Sequence, residues 1–207
     1  MVKAALPDAP LDSWKLAFDP AYVSKLAKCG VSVLDSPAEM LRAVYNYLGK
    51  DPNSQNADDL VQAEKVLMGI RPYIRNINSS EYIEALANGD LCLSVGYNGD
   101  VLQARDRARE AGKGIEFQYI VPKEGSILWF DMLAIPADAP NPEGALAFIN
   151  FMMRPEIAAR NTNLINFANA VLASKPFLDK EVAENKSVYP SEETMKRLFT
   201  VQPYDAA

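Results

Sequence analysis

The sequence predicts an α/β fold, a sheet with helices on its faces. Short apolar runs that read as strands, Val31 to Leu34 and Leu91 to Tyr97, alternate with amphipathic stretches carrying helix start and stop signals. Across 207 residues, 49% apolar and 23% charged side chains describe a globular chain and exclude a fibrous repeat or extended disorder. A chain of this length buries about 70% of its unfolded surface, so its core needs no metal or disulfide.

After an irregular start, Pro20 to Cys29 reads as a short helix with Tyr22, Val23 and Leu26 on one face, stopped at Gly30. Val31 to Leu34 follows as a strand. Ser36-Pro37-Ala38-Glu39 then has the form of a capping box with proline at the first helical position, ahead of apolar Met40, Leu41, Val44, Tyr47 and Leu48. Gly49 ends that helix, and residues 57 to 68 form the next, entered through Asp58 and Asp59. A further helix runs from Ser79-Ser80-Glu81 to Asn88-Gly89, and Leu91 to Tyr97 reads as a buried strand. Asn98-Gly99-Asp100 turns into a helix from Val101 to about Ala111. Ile115 to Val121 and Ser126 to Ile135 are expected as strands, the second interrupted by one buried-looking carboxylate, Asp131. From Asn141-Pro142-Glu143 the pattern is helical: Ala145 to Met153, Pro155 to about Asn161, and a shorter piece near Phe167 to Ser174. Pro176, Pro190 and Pro203 punctuate the tail, with an amphipathic helix at Ser191 to Phe199.

Charge and composition exclude much. With 21 basic against 27 acidic side chains the formal charge is −6, which opposes attraction to phosphate backbones and anionic lipid and suits cationic ligands. No apolar run is long enough to span a bilayer, and the apolar stretch at the start is too short for a secretion signal. Histidine is absent, which removes Ser-His-Asp and Cys-His activation and histidine zinc ligation. The two cysteines, Cys29 and Cys92, cannot build a thiolate metal site. They read either as separate buried thiols or as one long-range disulfide closing a loop of about 60 residues, a bridge contributing about 4 kcal/mol.

Sheets of this type bind ligands beyond the carboxyl ends of their strands. Glu39, Asp100 and Asp131 fall at strand ends or helix starts. Glu39 is explained by its capping box and Asp100 by the helix dipole, with a ligand role as the alternative for each. A carboxylate inside the apolar run around Asp131 needs a cationic or hydrogen-bonding partner, either a ligand or an arginine such as Arg71 or Arg154. Tyr97, Trp129 and Phe167 accompany these acids and read singly as core aromatics. Together, acids and rings suit a ligand with ammonium ends and a methylene chain. Two carboxylates also suffice for glycoside hydrolysis, which needs no histidine, but no motif points to that chemistry.

Cys29-Gly30-Val31-Ser32-Val33-Leu34-Asp35-Ser36-Pro37-Ala38-Glu39, Ala87-Asn88-Gly89-Asp90, Gly96-Tyr97-Asn98-Gly99-Asp100, and Pro122-Lys123-Glu124-Gly125 with Trp129-Phe130-Asp131 recur in one order in a known family. This ordered set resembles the periplasmic putrescine/spermidine-binding proteins of bacterial ABC polyamine importers, most closely the putrescine-binding branch. The resemblance implies a type II periplasmic solute-binding fold, in which two α/β lobes close over a polyamine and hand it to a membrane permease. It implies a binder with no catalytic role, cofactor, metal or nucleic-acid partner, located in the periplasm. Carried over by position, Glu39, Asp100 and Asp131 face the ammonium groups, Tyr97, Trp129 and Phe167 form aromatic walls, and Cys29 pairs with Cys92. Tyr97 and Phe167 stand where relatives more often carry Trp and Tyr, and Trp129 where they often carry Phe, so the walls stay aromatic.

The family's chains extend further at both ends, which implies a fragment consisting mostly of the second lobe with helices of an incomplete first lobe. By this reading residues 1–130 form the second lobe, 131–179 are helices of the first, and 180–207 return to the second. The apolar faces of Ala145, Leu146, Phe148, Ile149, Met152 and Met153 would then be uncovered, and self-association is expected.

Overall fold

The computed structural model describes residues 2–202. Pro203 and the rest of the expected 180–207 return lie outside the described residues from that point on. In chain order the elements are α1 (Val2–Ala5), α2 (Lys15–Phe18), α3 (Pro20–Leu26), β1 (Val31–Val33), α4 (Pro37–Tyr47), α5 (Ala57–Ile70), β2 (Asn76–Ile77), α6 (Tyr82–Asn88), β3 (Leu93–Ser94) and α7 (Asn98–Glu110). They continue with β4 (Ser126–Ile127), α8 (Pro142–Met152), α9 (Pro155–Ile165), α10 (Lys180–Glu184), α11 (Glu192–Met195) and β5 (Leu198–Phe199). Two 3-10 turns, Arg71–Tyr73 and Leu172–Phe177, complete the set.

Local chemistry accounts for most helix boundaries. Proline occupies the start of α3, α4, α8 and α9, where its missing N–H costs nothing. Asp19 caps α3 by accepting from the Ala21 N–H, Asn56 caps α5 through the Asp58 N–H, and Asn141 caps α8 through the Gly144 N–H. Gly89 and Asn166 end α6 and α9 in the left-handed conformation that such terminations require.

The chain forms two compact units, 2–128 with 192–202 and, separately, 129–191 among the described residues. The first holds a parallel sheet of order β2-β1-β3, with Ser32 opposite Asn76 and Ser94, and Val31 opposite Leu93. Central β1 is buried at every residue, as a parallel strand covered on both faces must be. Phe18, Val23, Leu26, Val44, Ile70 and Leu91 pack around it. Trp14 stacks on Phe18, their ring centroids 5.2 Å apart.

The returning segment is fixed to this unit by pairing and by a buried cation. β5 pairs in parallel with β4, Ser126 opposite Leu198. Arg42, 2% exposed, donates from α4 to the carbonyls of Ala38 at 3.0 Å and Gln202 at 2.7 Å and to Asn53 Oδ1 at 3.3 Å, so its charge is solvated by the protein.

In the second unit α9 packs against the Leu172–Phe177 turn. Asn169 joins the two, donating to Thr162 Oγ1 and accepting from Ser174 Oγ. α8 buries no side chain; Leu146, Phe148, Phe151 and Met153 stand exposed.

The structure departs from the sequence expectations in several places. α1 and α2 form within the supposedly irregular start. Ile115–Val121 keeps a partly alternating pattern of burial but joins no sheet among the described residues, because a strand needs a neighbour at its edge as well as an apolar face. The expected strand at 126–135 pairs only at β4, and Leu91–Tyr97 only at β3. The expected helix at 191–199 splits into α11 and β5, since a short apolar run such as Leu198-Phe199 suits either element and the open edge of β4 selects a strand. The chain rejoins the first unit at Glu192, later than the residue 180 boundary.

Candidate functional site

β1 and β3 are adjacent and parallel, so the turns after their carboxyl ends lie on the same edge of the sheet. The first leads into α4 and carries Glu39; the second leads into α7 and carries Tyr97 and Asp100. Glu39 does not complete the expected capping box. The Ser36 side chain makes no cap bond, and Glu39 Oε2 accepts a 2.7 Å hydrogen bond from the Tyr97 hydroxyl. A donor supplied across the sheet edge has displaced the local backbone partner. Asp100 sits in the first turn of α7, as expected, but its carboxylate is also held by another group.

That group is Tyr82, at the start of α6 and only 1% exposed. Its hydroxyl donates to Asp100 Oδ2 at 2.6 Å and accepts the Tyr97 N–H at 3.0 Å. Burial, and then the Asp100 hydrogen bond, push its phenol far above the ordinary tyrosine range, so the proton stays on oxygen. Sequence reasoning missed Tyr82 because an aromatic on an amphipathic helix reads as core. The available signal was Gly96, where a Cβ would stand 2.5 Å from Tyr82 Cε2 and 2.9 Å from its hydroxyl. Glycine at this position lets the ring lie against the backbone.

Glu39, Tyr97 and Asp100 are thus brought together, with Tyr82, in one hydrogen-bonded chain of half-buried and buried groups. Trp129, Asp131 and Phe167 belong to the second unit. Trp129 Nε1–H donates to Asp131 Oδ1 at 3.1 Å. The expected burial of Asp131 is not found: it is exposed, as are Trp129, Phe130, Met132 and Leu133 around it. An apolar run signals a demand for cover, and the described residues do not supply that cover. Arg154, one of the two cations suggested for Asp131, lies over the Phe151 ring instead, while Arg71 belongs to the first unit. Phe167 is half-buried and follows the left-handed Asn166 that ends α9.

Among the described residues none of Glu39, Asp100 and Asp131 has a lysine or arginine partner, and Glu39 Oε1 and Asp100 Oδ1 receive no protein hydrogen bond. Tyrosine hydroxyls orient Glu39 and Asp100 and an indole N–H orients Asp131, all neutral donors that leave the charge of these acids uncompensated, a surface suited to accept hydrogen bonds from a cation. The described residues contain no group of three or more acidic, cysteine or histidine side chains that could hold a metal ion. A hollow of about 840 Å³ in the first unit is lined by apolar Leu91, Val95 and Phe117 and by polar Ser94, Glu116 and Gln118, and includes none of the candidate acids.

Cys29 and Cys92 form a disulfide with Cα atoms 5.6 Å apart, joining the turn after α3 to the residue just before β3. Beside it, Arg75 donates to the carbonyls of Asp90 and Lys28, at 2.6 and 2.9 Å. These crosslinks fix β3, and so the turn bearing Tyr97 and Asp100, to the rest of the unit.

A parallel α/β unit with uncompensated acids at the ends of adjacent strands has the layout of a ligand-binding protein. The chain belongs to the family of bacterial extracellular solute-binding proteins, which it matches over residues 1–189. It is 49% identical over 200 residues to the putrescine-binding periplasmic protein SpuD of Pseudomonas aeruginosa, covering 96% of this chain and 54% of that one. It is 46% identical over 206 residues to the putrescine-binding periplasmic protein PotF of Escherichia coli, covering 99% and 56%. Among solved structures, the spermidine/putrescine ABC transporter substrate-binding protein PotD of Streptococcus pneumoniae superposes with a TM-score of 0.76 at 29% identity, covering 96% of this chain and 58% of that one. The chain spans about half the length of the curated relatives it matches.

Proposed function

We propose that this chain carries part of a polyamine site in the solute-binding component of an ABC importer, with putrescine or spermidine as ligand. Glu39 and Asp100 receive ammonium groups on the first unit and Asp131 on the second; Tyr97, Trp129 and Phe167 supply aromatic faces for the methylene chain and for cation–π attraction. The observation that carries this reading is that Glu39 and Asp100, linked through Tyr97 and Tyr82, have no cationic partner among the described residues. The similarity to SpuD and PotF, both putrescine-binding periplasmic proteins, supports it. On this reading the protein binds without catalysing, works in the periplasm, and passes its ligand to a permease.

Titration calorimetry with putrescine, cadaverine, spermidine and spermine tests the assignment. Hydrogen bonds to charged groups are worth about 1.5–3 kcal/mol, so Glu39→Gln and Asp100→Asn each weaken binding by about ten- to a hundredfold. Unchanged affinity in both variants refutes the carboxylate roles.

A second reading, a chain that associates with itself and binds no polyamine, is favoured by one observation: Leu146, Phe148 and Phe151 of α8 and Met153 just after it are all exposed. Apolar surface on that scale marks an interaction face.

A further inference from the structure

The four groups of the strand-end cluster do not have equal parts. Glu39, Tyr97 and Asp100 are half-buried and able to meet a ligand, whereas Tyr82 is 1% exposed and cannot. Yet the Tyr82 hydroxyl is bonded to both the backbone of Tyr97 and the carboxylate of Asp100. A phenol has one proton, and the Tyr97 N–H can only donate, so the hydroxyl must accept from that amide and direct its own proton to Asp100. Tyr97 in turn bonds Glu39 with its own hydroxyl. Two acids on different helices, α4 and α7, are therefore joined through two flat, stiff rings.

We infer that Tyr82 is a positioning residue that sets which length of diammonium ligand the site prefers, by holding Asp100 and, through Tyr97, Glu39 at a fixed separation. The inference rests on the polyamine reading of the site. Rigid acids favour the ligand whose two charged ends match their spacing and penalise one that is a methylene too short or too long. Asp100 freed from Tyr82 can rotate to meet either, and the preference flattens. Gly96 belongs to the same device, since the contact that seats the Tyr82 ring leaves no room for a Cβ.

Tyr82→Phe separates positioning from packing, because it removes one oxygen and keeps the ring. The test is calorimetry on the full chain with diaminopropane, putrescine, cadaverine and diaminohexane. The wild type is expected to favour one diamine over its one-methylene neighbours by about tenfold, and Tyr82→Phe by about twofold or less. Weaker binding with the same ratios, or an unchanged profile, overturns the inference and makes Tyr82 a core residue only. Binding of the diamines with no length preference in the wild type overturns it while leaving the polyamine reading standing. Wild type that binds none of the four overturns both. If Tyr82→Phe does not fold, Gly96→Ala, which keeps the phenol and presses its ring aside, is read in the same way: a flattened profile supports the inference and wild-type ratios overturn it.

Discussion

Gly96→Ala puts a methyl group where the structure has no space for it. The new Cβ would lie 2.5 Å from Tyr82 Cε2 and 2.7 Å from Cζ, well inside van der Waals contact. Tyr82 is 1% exposed, so its ring has no solvent to move into. Either the ring shifts, pulling the hydroxyl from its 2.6 Å bond to Asp100 and its 3.0 Å bond from Tyr97, or the start of α7 moves. Overpacking costs about 1–3 kcal/mol, and losing a hydrogen bond to a carboxylate about 1.5–3 kcal/mol. A combined loss of about 3 kcal/mol, at about 2–4 °C per kcal/mol for a chain of this size, lowers Tm by about 10 °C. Thermal unfolding followed by circular dichroism measures it. Gly69→Ala is the control: its Cβ meets only Pro20 Cγ at 3.7 Å, and alanine in α5 raises Tm slightly. A Gly96→Ala protein melting within about 2 °C of the wild type would show that the ring is not held as described.

Three further outcomes follow from the same structure. The disulfide spans 63 residues of sequence, so its removal in Cys29→Ser/Cys92→Ser costs about 4 kcal/mol by chain entropy; a loss under about 1 kcal/mol in denaturant titration contradicts that account. Tyr82 has a folded pKa raised above its ordinary value of 10.0 by burial and by Asp100. The stability its protonated phenol contributes is complete below about pH 10 and falls as pH rises beyond it, when the unfolded chain ionises first. Urea midpoints from pH 8 to 11, about the range where the phenol matters, should therefore decline more steeply in wild type than in Tyr82→Phe, and parallel curves would rule this out. For the α8 face, sedimentation velocity is expected to show concentration-dependent association that Phe148→Lys/Phe151→Lys weakens; a monomer at every concentration removes the self-association reading.

Helix starts were the most legible features of this sequence, because they are local. Pro37, Pro142 and Pro155 begin α4, α8 and α9 where their geometry suits a first helical residue, and Gly89 ends α6 where a left-handed residue is required. Glu39 and Asp100 are legible as acids near strand ends, though the local pattern makes Glu39 a cap and only the fold brings the Tyr97 hydroxyl to it. The exposure of Asp131 is not legible in the sequence, because the apolar residues beside it specify hydrophobicity without specifying cover. β2, β4 and β5, two residues each, carry too little pattern to be read without their partners.

By itself the sequence determined the alternation of strand and helix, the acidic balance, the absence of histidine chemistry and the acids and rings on offer, since each depends on composition or on neighbours a few positions apart. Only the tertiary structure decided that Tyr82 joins Asp100 to Tyr97, that Glu39 turns from its own helix to a tyrosine beyond a neighbouring strand, and that Cys29 meets Cys92. These pairings depend on parallel strands setting distant turns side by side, and no local preference encodes which side chains will then lie within hydrogen-bonding reach.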